Sequence, residues 1–318
     1  MGERPEITRS RDRCRARARL LPAVAVAVLV AAAGCGDPAR TADTVPSSAP
    51  APTTERSPAR TPGPPDLPAP DAKIPGDAAK LAAALEKTAG RLAEAVDAWT
   101  AGGAAKGTPP EEVRLLALHQ QRIYRFAARH PKVADRAFAR LPAGLAAQAR
   151  DNTAAIRELL SLARPIKGSA TFKVQDPLPA GTLLGHFKKA ERRFGVEWEV
   201  LAAVMFAETK FGRVRSASHA GAQGPMQFMP ATWKAYGMGG DIRNVRDAVM
   251  AAANYLRATG APRDYRRALH AYNPSQAYVN AILLHARQIK RDPRNYYAYY
   301  NWQVYVITTT GERRLTGP

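Results

Sequence analysis

The chain has 318 residues, a formal net charge of +20 and 46% hydrophobic side chains. That length allows one or two domains, and such a basic protein is drawn to polyanions. Its two cysteines, Cys14 and Cys35, both lie near the N-terminus. The body is therefore expected to have no disulfide and no cysteine-based metal site, and to rely on packing.

Residues 1–34 carry seven Arg against three acids, so the rest of the chain still holds a net +16. The apolar run at 20–33 is followed by Gly34-Cys35. A basic front, a short apolar core and a small-residue exit describe a secretory signal. The run is shorter than the ~20 residues of a membrane span. Ala32-Ala33-Gly34-Cys35 resembles the bacterial lipoprotein box, though that box more often has Leu where Ala32 stands. The resemblance implies a signal over 1–35 and lipidation of Cys35. The protein would then sit on the outer face of the cytoplasmic membrane; a free secreted protein is the alternative.

Residues 36–75 hold eleven Pro and eight Ser or Thr, with few large apolar side chains. Such a stretch buries too little surface to offset its ordering entropy and is expected to be a disordered, semi-stiff tether. Residues 76–165 are expected to form a helical bundle. Leu81, Leu85, Leu92 and Val96 recur on one helical face, and a second helix starts near Glu111. His119 and His130 suit surface or capping roles better than ligation. Residues 166–182, with Pro177, Pro179 and Gly181, are a connector.

Residues 183–290 are expected to be helical with Gly-richer loops. One helix stops at Gly195. The next covers about 197–211, with Gly212 at its end. Asn244 to Asp247 suggests a capping box, and Pro274 a helix start. In the tail, 291–318, six aromatic residues lie between Tyr296 and Tyr305. These rings suit packing better than sugar stacking. Residues 301–308 alternate like a strand, and Gly311 would turn it into a hairpin.

Glu208 stands out on its own. Leu201, Val204 and Met205 precede it by seven, four and three residues, so its carboxylate lies on an apolar helix face. Burial and a nearby helix C-terminus both disfavour the charged form. A carboxyl kept protonated near neutral pH is what a general acid requires. A Glu at a domain edge, or one paired with a buried Arg, would look the same.

Beyond Glu208-Thr209-Lys210-Phe211-Gly212 come Ser218-His219-Ala220-Gly221-Ala222-Gln223-Gly224-Pro225-Met226-Gln227 and then Ala271-Tyr272-Asn273. In order and spacing this set resembles the lytic transglycosylases of the lysozyme superfamily, over about 183–290. Glu-Thr in place of Glu-Ser looks more like the membrane-bound B-type branch, and Pro274-Ser275 departs from the Ala-Gly that follows Tyr-Asn in many relatives. The resemblance implies an all-α fold: a lysozyme-like domain behind the bundle, with a short C-terminal hairpin possible.

It also implies that Glu208 protonates the bond between N-acetylmuramic acid and N-acetylglucosamine, then takes the proton of the muramic C6 hydroxyl to give a 1,6-anhydro end. Ser218, Gln227, Tyr272 and Asn273 are candidate contacts to the glycan. Loop bracing and helix-junction bonds are their alternatives, and Met226 and Phe228 suit floor packing. Peptidoglycan strands and, through Cys35, the membrane are the expected partners. No cofactor, metal or nucleic acid is expected, and the protein is expected to be a monomer. A muramidase with a water held by Asp241 or Asp247, or a silent wall-binding scaffold, are the other readings. No His-Glu-x-x-His, P-loop or dinucleotide glycine motif is present.

Overall fold

The computed structural model describes residues 67–103, 105, 107–168 and 171–318. Cys35 and the proposed signal lie outside the described residues, as does most of the tether. Among the described residues, eleven helices and one hairpin form the body.

The first four helices are α1 (Ala78–Thr100), α2 (Glu111–Arg129), α3 (Pro131–Phe138) and α4 (Ala143–Leu162). Asp77 caps α1, accepting from the backbone N–H groups of Ala79 and Lys80 at 3.0 and 2.9 Å. The expected stripe Leu81, Leu85, Leu92 and Val96 is buried. His119 shares a 2.9 Å hydrogen bond with the Thr88 hydroxyl, and His130 precedes α3 with its ring stacked on Phe126.

One expectation needs correction: the tether does not run loose to residue 75. Arg122 donates to the carbonyls of Ala72 and Asp71 at 2.7 and 3.1 Å, and Arg314 to that of Pro70 at 3.2 Å. Leu67 and Ile74 pack against the core. Two apolar anchors and three carbonyl contacts are what composition alone undervalues.

The remaining helices are α5 (Ala180–Phe194), α6 (Trp198–Thr209), α7 (Pro230–Tyr236), α8 (Val245–Thr259), α9 (Tyr265–Tyr272), α10 (Gln276–Arg291) and α11 (Arg294–Tyr300). Gly195 ends α5 in the left-handed region, at φ 68°. Asn244 caps α8 by accepting from the N–H of Asp247. Ser275, not Pro274, is the N-cap of α10. Helix α6 is the centre: every residue from Val200 to Phe206 is buried. A helix apolar on all sides can only live inside a protein, and α5, α8, α10 and α11 surround it.

The bundle and the helices after it share one interior. Helix α4 lies along α10, joined by Asp151 with Arg287 at 2.6 Å and Asn280 with Glu158 at 3.0 Å, and Tyr299 of α11 bonds Asn152 of α4 at 2.6 Å. A single apolar cluster runs from Ala78 to Trp302.

The aromatic tail packs inward, and its polar tips tie down the chain. Tyr296 donates to the carbonyl of Ala180 at 2.7 Å, and Tyr300 to that of Leu178 at 3.0 Å. Phe206 meets Tyr299 and Trp302 at ring separations of 5.2 and 5.7 Å. The expected strand from 301 is shorter: residues 294–300 are helical, and β1 (Tyr305–Thr308) pairs antiparallel with β2 (Gly311–Arg314). Before β1 a side chain stands in for a strand partner. The amide of Gln121 accepts from the N–H of Gln303 at 2.8 Å and donates to its carbonyl at 2.9 Å. Upstream, Ile166 pairs with the outer edge of β1 through Ile307 and Thr309.

Candidate active site

Helix α6 ends earlier than its sequence suggests. Lys210, Phe211 and Gly212 are all left-handed, at φ 51°, 61° and 87°. The N–H of Phe211 closes the helix on the carbonyl of Met205 at 3.3 Å. The Thr209 hydroxyl donates to the carbonyl of Pro225 at 2.7 Å and accepts from the N–H of Gly212 at 2.9 Å. It thereby joins the end of α6 to the next loop. A Ser hydroxyl could make the same bonds, so the Glu-Thr departure does not disturb this joint.

Glu208 therefore sits on the last turn of a buried helix, where the core meets a cavity of about 170 Å³. Its side chain is buried, and Oε1 accepts from the Tyr278 hydroxyl at 2.7 Å. Burial pushes its pKa up to about 8, against the pull of the Tyr278 hydroxyl and the charge of Lys210. At pH 7 this disfavours folding by about 3 kcal/mol, because the unfolded carboxyl would be ionised. Each fully buried Val, Leu, Met or Phe of α6 contributes about 1.5–3 kcal/mol, so two of them offset the strain of one acid.

Lys210 also lines the cavity. Its Nζ donates to the carbonyl of Phe206 at 3.0 Å and lies 4.2 Å over that ring. Burial, aided by Arg125 and Arg213, pulls its pKa down to about 7. His285 lies among Phe206, Tyr299 and Trp302, with no hydrogen-bond partner on either ring nitrogen among the described residues. Burial pulls it down to about 3, so its ring is neutral.

The loop at 217–229 is tied to the end of α6 through Pro225, and none of its residues lines the cavity. Gln223 and Phe228 exchange both backbone hydrogen bonds, at 2.8 and 2.9 Å, closing a tight turn. Gly224 in that turn has φ 74°, and a Cβ there would collide with the carbonyl of Ile242. Gln227, buried at φ 49°, donates through Nε2 to the carbonyl of Gly224 at 2.9 Å. Ser218 Oγ accepts from the N–H of Ala222 at 2.9 Å. Tyr272 donates to the carbonyl of Met226 at 2.6 Å. Met226 and Phe228 are buried.

Of the four expected glycan contacts, Asn273 lines the cavity with Glu208. Ser218, Gln227 and Tyr272 place the polar atoms just named into the loop. Asp241 and Asp247 belong to the start of α8: the Asp247 carboxylate accepts from the N–H of Asp241 at 3.2 Å. Neither lines this cavity, and among the described residues Glu208 is the sole carboxylate that does.

Sequence reasoning missed Tyr278 and the cavity wall made by α4 and β1. Tyr278 had a signal: with Ile282, His285 and Ile289 it falls at helical spacing on the buried face of α10, a hydroxyl on an apolar stripe. The wall built from the end of α4 and from β1 had none, because no local pattern reports which distant helix a helix packs against.

Residues 185–292, about a third of the chain, match the family model of the transglycosylase SLT domain. No curated protein and no solved structure matches the chain. The matched span begins in α5 and ends just past α10, enclosing Glu208, the loop, Asn273 and Tyr278. This region is a transglycosylase SLT domain, a lysozyme-like fold of the kind that acts on peptidoglycan.

Proposed function

We propose that the protein is a peptidoglycan lytic transglycosylase in which Glu208 is acid and then base. Protonated Glu208 gives its proton to the oxygen joining N-acetylmuramic acid to N-acetylglucosamine. That bond breaks, and the positive charge on the anomeric carbon is taken up by the sugar's own acetamido oxygen. The Glu208 carboxylate then removes the proton of the muramic C6 hydroxyl as its oxygen attacks the anomeric carbon. A 1,6-anhydro end forms, no water is consumed, and Glu208 regains its proton.

The observation that carries this reading is a single buried carboxyl, raised to about 8 and held by one hydroxyl. A glycosidase that relies on two carboxylates needs both flanking the bond. Asn273 would bind or orient the sugar beside the acid, while Ser218, Gln227 and Tyr272 would shape the loop that receives the strand. The Glu-Thr-x-Phe-Gly run supports the B-type branch. Residues 1–35 support export and a lipid anchor on Cys35.

The test is digestion of purified peptidoglycan by the full-length protein and by Glu208→Gln, with the released fragments weighed by mass spectrometry. Anhydro-ended fragments from the wild type alone are expected. Hydrated ends, heavier by one water, would make the protein a muramidase. No release, with binding kept, would make it a scaffold. Loss of membrane fractionation in Cys35→Ala is the matching result for the anchor.

A further inference from the structure

A second cavity, of about 360 Å³, lies apart from the one beside Glu208, and no residue lines both. Stretches distant in sequence meet there. They are residues 107–109 with Arg114, the connector around Gln175 and Asp176, Arg213 just past the end of α6, and the tail at Tyr300 and Thr316. Of these, Arg213 alone falls within the matched span.

Two guanidinium groups line this cavity, and neither forms an ion pair among the described residues. Arg213 is buried. Its Nη1 donates to the carbonyl of Lys210 at 3.1 Å, and its guanidinium lies 5.1 Å from the centre of the Tyr300 ring. Burial pulls its pKa down to about 10, against the pull of Tyr300 and Asp176. Arg114 stands near the start of α2, and its buried Nε has no hydrogen-bond partner among the described residues. Asp176 is the one acidic side chain on the lining, and it is exposed. A cation withdrawn from water without an ion-pair partner costs free energy that an incoming anion recovers.

The donors also say which anion. One guanidinium fork satisfies the two oxygens of a carboxylate. Two forks from separate segments, with the Thr108 hydroxyl on the same lining, call for an anion with more oxygens than that. A phosphate supplies them. The volume falls among those of small-molecule sites, about 300–1,000 Å³, so the group that carries the phosphate fits as well.

We propose that this second cavity binds a phosphate group, held between Arg114 and Arg213. The phosphate arrives on a lipid headgroup or on a small soluble ester, and the cavity makes the same demand of either. The site stands independently of the role given to Glu208.

The experiment is calorimetric titration of the full-length protein with inorganic phosphate and with glycerol 3-phosphate, at fixed ionic strength, with acetate as the carboxylate control. Both phosphates should bind, glycerol 3-phosphate more tightly, and acetate should bind at least ten-fold more weakly. Arg114→Ala and Arg213→Lys should each weaken phosphate by roughly ten-fold, the scale of one hydrogen bond to a charged group. Arg114→Lys should keep part of the affinity. Arg215→Ala, an exposed change outside the lining, should keep all of it. Circular dichroism melts would show that each variant folds. Vesicles of phosphatidylglycerol that compete with glycerol 3-phosphate would place the phosphate on a lipid headgroup; vesicles without effect would make the ligand a soluble ester. No phosphate binding, binding untouched by Arg114→Ala and Arg213→Lys, or acetate binding as tight as phosphate would overturn the proposal and leave Glu208 its role.

Discussion

The loop at 217–229 and the α4–β1 wall are built by different means. The loop is held by hydrogen bonds and by residues in left-handed conformations, Gly221, Gly224 and Gln227 among them. The α4–β1 wall is held by apolar packing and by Arg125 and Arg129 converging on Glu312. A structure of the first kind is defined by a short run of sequence and tolerates little change. One of the second kind is assembled from distant segments and can vary in its side chains without losing its shape.

The largest expected effect falls on the acid itself. Glu208→Gln should lower strand cleavage by about three orders of magnitude, the usual worth of a general acid and base. It should also stabilise the fold near pH 7. The raised pKa means that stability is fully present below the unfolded value, near 4.5, and is lost as pH rises to about 8. Gln cannot ionise, so urea melts of the variant should lose that pH slope and gain about 2–3 kcal/mol at pH 7.

A pair of glycines tests the rigidity of the loop. Gly224→Ala adds a collision with Ile242 to left-handed strain and should cost about 3 kcal/mol. Gly221 has φ 87° but open space around it. Gly221→Ala should therefore cost only about 1 kcal/mol, from backbone strain alone. Equal costs in thermal melts would mean that the close approach to Ile242 does not matter.

Under the packed wall, His285 should make the protein sensitive to acid. Its pKa is depressed, so the unfolded state binds the proton first. Stability is then full above about pH 6.5 and falls as pH drops towards 3. At pH 5 the loss should be about 2 kcal/mol relative to His285→Phe, which has no such slope. A variant as acid-labile as the wild type would place the titration elsewhere.

A smaller effect on catalysis than that of Glu208→Gln is expected from Tyr278→Phe. The hydroxyl favours the ionised carboxylate. Its loss should move the alkaline limb of the pH–rate profile upward and slow turnover by roughly ten-fold. An unmoved limb would reduce Tyr278 to a packing role.

Legibility in the sequence followed the range of the interactions. The α1 stripe was readable because its spacing is local. Glu208 was readable for a different reason than its helical face: α6 is buried all round, so the face argument separates it from few neighbours, and the run through Asn273 marked it instead. The early stop of α6 was not readable, since Lys210 and Phe211 are unusual left-handed residues held by the turn around them. The helix at 294–300 was hidden in an aromatic run whose conformation is decided by packing on α6 and α2. The α4–β1 wall brings residues near 160 against residues near 306, and only the folded core makes that pairing.

The grip of Arg122 and Arg314 on residues 70–72 sets where a load would enter the molecule. A pull on the chain from its N-terminal side meets α2 and the base of the hairpin before it meets α1. Strand β1 of the hairpin lines the same cavity as Glu208, and Trp302 just before it packs on Phe206 of α6. Traction would therefore be felt first at the cavity wall that shares this space with the acid.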